Sequence, residues 1–203
     1  ADLKGLLAEK WEAVNDTTWR VTLRKGVKFH DGSTMDAKAF KDVADYLFRK
    51  ESIGAAGEIR AFIGETDKIK VVGDYQVEFE TRKPTPIFPA YLLRVPIPSA
   101  KQVRENPDSL ANNLIGSGPY KIKEWVKGQQ VILEAFDGYW GPKPPIKEVK
   151  WLFRKEATVR AAMLKTGEAD VALDMTAETA ADTPKTESFQ IAEVVHIRLN
   201  PSV

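Results

Sequence analysis

Cysteine is absent from the 203-residue chain. That absence excludes disulfides, thiolate metal sites, cysteine nucleophiles and thiol redox switches. Histidine is scarce, at two residues, His30 and His196. A zinc site needs further ligands, and no H-E-x-x-H segment supplies them. Both histidines therefore read first as ordinary surface or satisfied core residues. No apolar run approaches the roughly 18 residues needed to cross a bilayer. The opening Ala1-Asp2-Leu3-Lys4 lacks the charged start and long apolar stretch of a signal peptide, as a mature fragment would. Neither sign of charge dominates: 30 Lys and Arg against 29 Asp and Glu leave +1. A nucleic-acid binder gathers a basic surplus on one face, and none is visible.

Catalytic templates are missing too. Gly116-Ser117-Gly118 has no Gly-Lys-Ser/Thr to cradle a phosphate, so it reads as a turn. There is no G-x-S-x-G elbow, and the spacing of the carboxylates favours no acid/base pair. No cofactor and no metal are expected.

What remains is an ordinary globular balance, 43% hydrophobic and 29% charged. It suits one domain with a real core or two small subdomains. Trp19, Val21 and Leu23 alternate with Arg20, Thr22 and Arg24, and Asn15-Asp16 is a turn signal. The spacing predicts a hairpin over about Trp11 to Arg24. Asp36 is placed to cap a helix whose apolar stripe is Ala37, Phe40, Val43, Ala44, Leu47 and Phe48. Ser52 to Gly57 reads as a loop and Glu58 to Gly64 as a short helix. Ile69 to Phe79 around Gly73-Asp74 predicts a second hairpin. Five prolines between Pro84 and Pro98 limit that stretch to one helical turn near Phe88 to Leu93 and an extended piece through Arg94 to Pro98. Ser99 caps another short helix.

Gly116-Ser117-Gly118-Pro119 is the strongest break, and the subdomain boundary is placed there, giving residues 1–115 and 116–203. A third hairpin turns at Lys127-Gly128. Val149, Trp151 and Phe153, a helix from Ala157 to Thr166 ended by Gly167, and Val171-Ala172-Leu173 predict a strand–helix–strand unit. Ile191 to Leu199 reads as a last strand. The fold class is mixed α/β or α+β. Phe136, Tyr139 and Trp140, among two glycines and three prolines, read as a loop plug over a sheet end. Arg94, flanked by Leu92-Leu93 and Val95-Pro96, reads from pattern alone as a snorkelling cation, with an anion in a cleft as the alternative.

Five runs share one further property. They are Leu7-Ala8-Glu9-Lys10-Trp11-Glu12 with Trp19 to Gly32 after it, Gly116-Ser117-Gly118-Pro119-Tyr120, Asp137 to Pro144, and Gly167-Glu168-Ala169-Asp170-Val171-Ala172. In order and spacing the chain resembles the family 5 extracellular solute-binding proteins, the dipeptide, oligopeptide and nickel-binding class of ABC importers. The resemblance implies the first lobe of a two-lobed periplasmic-binding-protein-like fold, incomplete, ending at the crossover to a second lobe. It implies a small solute (a peptide, an opine or similar), ABC permease subunits as membrane partners, no nucleic acid, and a monomer. The implied location is periplasmic, or extracellular on a membrane-anchored lipoprotein. No catalysis is implied.

The resemblance also shifts individual residues. Nickel-binding members carry an Arg at the place of Arg94, where it meets an anionic ligand group, and a guanidinium matches both carboxylate oxygens. The strand Val171 to Met175 is expected to run toward the cleft, which makes Asp174 and Met175 ligand candidates. His196 and Arg198 are expected near the hinge. Nickel-binding relatives line the cleft with an Arg and an aromatic residue in the loop after the first helix. Here that loop is Ser52-Ile53-Gly54-Ala55-Ala56-Gly57, with neither, which disfavours a nickel chelate. The rival reading is a sensory domain fused to a DNA-binding module, and a further one is a hydrolase on a borrowed fold.

Overall fold

Alternating apolar residues in the first 80 positions build a four-stranded antiparallel sheet. Its strands are β1 (Ala8–Asn15), β2 (Thr18–Leu23), β3 (Ile69–Gly73) and β4 (Gln76–Glu80), in the order β1-β2-β4-β3. The computed structural model describes residues 4–49, 56–92, 95–176 and 178–179. The chain divides into two compact units, Ala1–Trp151 and Leu152–Val203.

Register sorts the side chains of the first sheet. Val21 faces Val77 across β2 and β4, and both are buried. One residue away Arg20 faces Glu78 on the other surface, with a guanidinium–carboxylate contact of 2.6 Å. Lys68 and Lys70 approach Glu80 at 3.1 and 3.6 Å. A slip by one residue would bury this charged set, so the ladder fixes register more than it adds stability.

Helix α1 (Ala37–Leu47) covers the apolar face. Asp36 is extended, and its Oδ1 accepts from the Ala39 amide at 2.7 Å, as its position before the apolar stripe predicts. Phe40 meets Phe79 edge to face at 5.8 Å, and Phe79 meets Phe88 at 5.4 Å. Phe88 opens α3 (Phe88–Leu92), the single short helix that the proline-rich stretch permits; Pro89 sits in its first turn, where a missing N–H leaves no bond unmade. Phe79 thus ties the sheet to α1 and α3. Helix α2 (Ala56–Ile63) begins two residues inside the predicted loop and buries Ile59 and Ile63.

Helix α4 (Ala100–Glu105) is capped by Ser99, whose Oγ accepts from the Gln102 amide at 3.3 Å. Ala100 and Val103 pack on Ala39 and Val43 of α1. Gln102 is buried with its amide satisfied: it donates to Ser109 Oγ at 2.8 Å and to the Asn113 carbonyl at 2.5 Å, and accepts from the Ile115 amide at 3.0 Å. That side chain holds the return segment to Ile115 in place.

After Gly116–Pro119 the chain forms a second sheet, β5 (Tyr120–Val126), β6 (Gln130–Ala135) and β7 (Glu148–Leu152), in that order. β5 and β6 are antiparallel around Gly128, whose φ is 72°. In the second unit α5 (Ala157–Thr166) ends at Gly167, in the left-handed region at φ 74°.

The expected strand over Val171 to Met175 is not formed. These residues have no ladder partner among the described residues, Val171 and Leu173 are 65% and 42% exposed, and Asp174 has φ 53°. A left-handed residue turns the chain out of the extended conformation, and three apolar residues do not make a strand without a neighbour to accept their hydrogen bonds. The predicted strand Ile191 to Leu199 lies outside the described residues.

Phe79→Ala is expected to destabilise the first unit by about 3–5 kcal/mol through the cavity it leaves. Asp36→Ala is expected to cost about 1 kcal/mol. Urea denaturation followed by tryptophan fluorescence measures both, and a larger loss for the cap than for the core ring would contradict the account of the fold.

Candidate functional site

Two of the five residues singled out for ligand contact lie in the described part of the second unit. Asp174 is exposed and Met175 half-buried, on an irregular segment after α5. Arg160 of α5 holds that segment. Its Nη2 donates to the Asp174 carbonyl at 2.8 Å, and its Nη1 donates to the carbonyls of Arg154 and Lys155, both at 2.6 Å. One guanidinium thus fastens the chain before and after the helix, using fork geometry that a lysine lacks. The Asp174 carboxylate accepts none of these bonds, because it is the backbone oxygen that is clamped.

Arg94, His196 and Arg198 lie outside the described residues. The chain on the far side of Arg94 is described. Val95 to Pro98 forms no helix or ladder and leads from half-buried Val95 to buried Pro98 and fully buried Ser99. The Val95 amide donates to the Leu92 carbonyl at 3.2 Å, and the Ser99 amide to the Ile115 carbonyl at 2.8 Å. Hydrogen bonds therefore hold this irregular piece at both ends.

Beside it lies a recess of about 180 Å³ walled by Trp11, Phe40, Phe79, Pro89, Leu92 and Val95, among others. The walls are almost wholly apolar, with Lys4 the one charged side chain among them. A site for a peptide or another zwitterion needs converging polar groups to replace the water lost from its charged ends. This recess offers none beyond Lys4, and it does not suit such a solute.

The most connected polar cluster is one that the residue patterns did not assemble. The His30 imidazole lies between two peptides of the glycine turn: Nε2 is 3.1 Å from the Gly118 carbonyl, and the Gly116 amide donates to Nδ1 at 3.3 Å. This pairing requires the neutral ring with its proton on Nε2. The His30 amide donates to the Gly116 carbonyl at 2.8 Å. Next to it, Asp31 Oδ1 accepts from the Ser33 amide at 2.9 Å and hydroxyl at 2.5 Å, and Oδ2 accepts from Ser99 Oγ at 2.5 Å. Burial resists ionisation of Asp31, but the Ser33 and Ser99 bonds outweigh it and hold the carboxyl below its ordinary range. The motif residues His30-Asp31-Gly32 and Gly116-Ser117-Gly118 thus meet across 88 positions of sequence.

The aromatic run closes the same joint. Phe136 stands edge-on to His30 at 5.0 Å, and its amide donates to the Pro119 carbonyl at 2.8 Å. Trp140 Nε1 donates to the Ser117 carbonyl at 3.2 Å, and the Arg24 guanidinium lies over the Trp140 ring at 4.7 Å. Arg24 also reaches Glu9 at 3.1 Å and the Leu6 carbonyl at 2.9 Å. A Cβ on Gly138 would come within 2.6 Å of the Phe136 ring, so any other residue there would displace that ring. The plug reading of the three aromatics fits these contacts.

Among the described residues no three His, Asp or Glu side chains converge to hold a metal, and no helix is long and apolar enough to cross a membrane.

The profile for bacterial extracellular solute-binding proteins, family 5 Middle, matches residues 2–202, and the chain belongs to that family. It is 31% identical to the dipeptide-binding protein of Escherichia coli over 187 residues, covering 81% of this chain and 35% of that protein. It is 29% identical to the glutathione-binding protein GsiB of Salmonella paratyphi A, covering 93% and 37%. Among solved structures, a nickel ABC transporter protein of Bacillus halodurans superposes with a TM-score of 0.74 at 28% identity, covering 90% of this chain and 36% of that one. The oligopeptide-binding protein AppA of Bacillus subtilis, in complex with a nonapeptide, superposes with a TM-score of 0.72 at 28% identity, covering 82% and 34%. The chain spans about a third of the length of these relatives. The family and the mixed α/β class expected from the sequence are both found, and the fold corresponds to part of one lobe.

Arg160→Met is expected to release the segment around Asp174. Loss of one clamping bond there corresponds to roughly fivefold faster cleavage within residues 171–176, read by limited proteolysis with a non-specific protease. Unchanged cleavage would contradict the clamp.

Proposed function

We propose that the protein carrying this chain is the substrate-binding component of an ABC importer, one that takes a peptide-like solute and passes it to a membrane permease. The observation that carries this reading is the family match over residues 2–202. A peptide-like solute is supported by the named ligands of two relatives, a dipeptide in one and a nonapeptide in the other. The relatives are named as binding proteins, and no bond is made or broken in the proposed role.

In this reading the chain is part of one wall of a cleft between two lobes, with residues 1–115 as one subdomain and 116–203 as the other. Solute contacts both lobes only in the closed form, so binding shifts an open/closed equilibrium toward closure. Arg94 is assigned a bidentate pair with a solute carboxylate, and Asp174, Met175, His196 and Arg198 are further candidate ligand contacts. The protein acts as a monomer outside the cytoplasmic membrane, free in the periplasm or held by a lipid anchor.

Native mass spectrometry of the full-length protein, purified without denaturation, is expected to reveal a co-purified small solute. In calorimetric titration with that solute, Arg94→Ala is expected to weaken binding by about tenfold or more, the value of a charge-assisted pair. Turnover of the solute, or unchanged affinity in the variant, would overturn the reading or the assignment of Arg94, respectively.

A further inference from the structure

The joint between the two sheets of the first unit is built around a titratable ring. Histidine is the side chain whose charge ordinarily changes between pH 5 and 8. In its neutral form the His30 imidazole is one donor and one acceptor, and both are used, on Gly118 and Gly116. A second proton turns both ring nitrogens into donors. Nδ1–H would then point at the Gly116 N–H, so one bond is lost and two donors are opposed. The Gly118 bond survives, because it already uses the Nε2 proton.

We propose that the His30 clasp on Gly116 and Gly118 is a pH-responsive coupling that locks the two sheets of the first unit together while the imidazole is neutral and loosens when it becomes imidazolium.

The groups around the ring have defined places. Lys121 of β5 faces it from the second sheet, Asp31 from its own turn, and the Phe136 edge from the loop after β6. Asp31 is itself engaged by Ser33 and Ser99 and lies in the field of Lys101 on α4. Burial of the ring disfavours imidazolium, and the field of Lys121 does so too; the Gly118 carbonyl and Asp31 oppose them without reversing the direction. The proton affinity of the folded ring is thus below the ordinary histidine value of about 6.5. With the folded value depressed, stability from the neutral clasp is complete only above the unfolded value of about 6.5. It is lost as the pH falls through the folded value, because the unfolded chain binds the proton first. The bonds from Trp140 to Ser117, from the Phe136 amide to Pro119 and from the His30 amide to the Gly116 carbonyl involve no ionisable group, so the joint loosens but is not severed.

The reporter is the Gly116 amide, whose proton sits in the bond at stake. In the full chain, amide exchange is followed by NMR between pH 7.5 and 5, each rate divided by that of an unstructured peptide at the same pH. The His30 ring resonance is titrated in the same samples, with His196→Gln to remove the other histidine. Protection at Gly116 is expected to fall by roughly fivefold or more, with the midpoint of the His30 titration, while the β2–β4 ladder keeps its protection. His30→Gln offers a donor NH2 and an acceptor oxygen and does not titrate, so its Gly116 protection is expected to be flat with pH. Constant wild-type protection, a His30 midpoint at or above the ordinary value, or midpoints that do not coincide would each overturn the proposal. The same fall in His30→Gln would overturn it as well. The wild-type titration decides the matter alone if that variant does not fold.

Discussion

The peptide groups of Gly116, Ser117, Gly118 and Pro119 lie between two sheets and belong to neither ladder. Buried backbone groups need partners wherever the chain leaves regular structure, and here the partners come from distant side chains. His30 serves Gly116 and Gly118, Trp140 serves Ser117, and the Phe136 amide serves Pro119. His30 comes from the turn after β2, and Phe136 and Trp140 from the loop after β6, so satisfying the backbone also docks one sheet on the other. Asp31 extends the cluster through Ser99 to the start of α4. The rest of the first unit depends on this requirement: four peptides outside either ladder draw the turn after β2 and the loop after β6 to one place, and Asp31 ties in the cap of α4.

This arrangement accounts for motifs that would otherwise look like separate punctuation. His30-Asp31-Gly32 is a turn, Gly116-Ser117-Gly118-Pro119 a break and Phe136 to Trp140 an aromatic loop. In the fold they are three parts of one joint. A lobe that closes on a solute moves as a body, and a joint with several independent bonds keeps two sheets from shearing. The proposed transport role therefore places its demand on stiffness here and its chemistry elsewhere.

Much of the local structure was legible in the residues. The alternation of Trp19, Val21 and Leu23, the cap at Asp36 and the positive-φ glycine at 167 are local signals, and local signals survive folding. Val171-Ala172-Leu173 misled because three apolar residues look alike in a strand and in an exposed turn; only a neighbouring strand distinguishes them. The joint was illegible for another reason. Nothing in the sequence near His30 tells that its ring will meet a carbonyl 88 positions later. The family resemblance placed the motifs in order but gave no contacts. Of the site, the exposed carboxylate of Asp174 was legible as a residue, while the Arg160 clamp on its carbonyl needed coordinates.

The central claim is that the His30–Asp31 cluster makes the two sheets one rigid body. Residual dipolar couplings of backbone amides, measured at neutral pH in a weakly aligned sample, test it directly. The account predicts that the β1–β4 sheet and the β5–β7 sheet fit one alignment tensor in the arrangement described. Two tensors of different magnitude or orientation would contradict it.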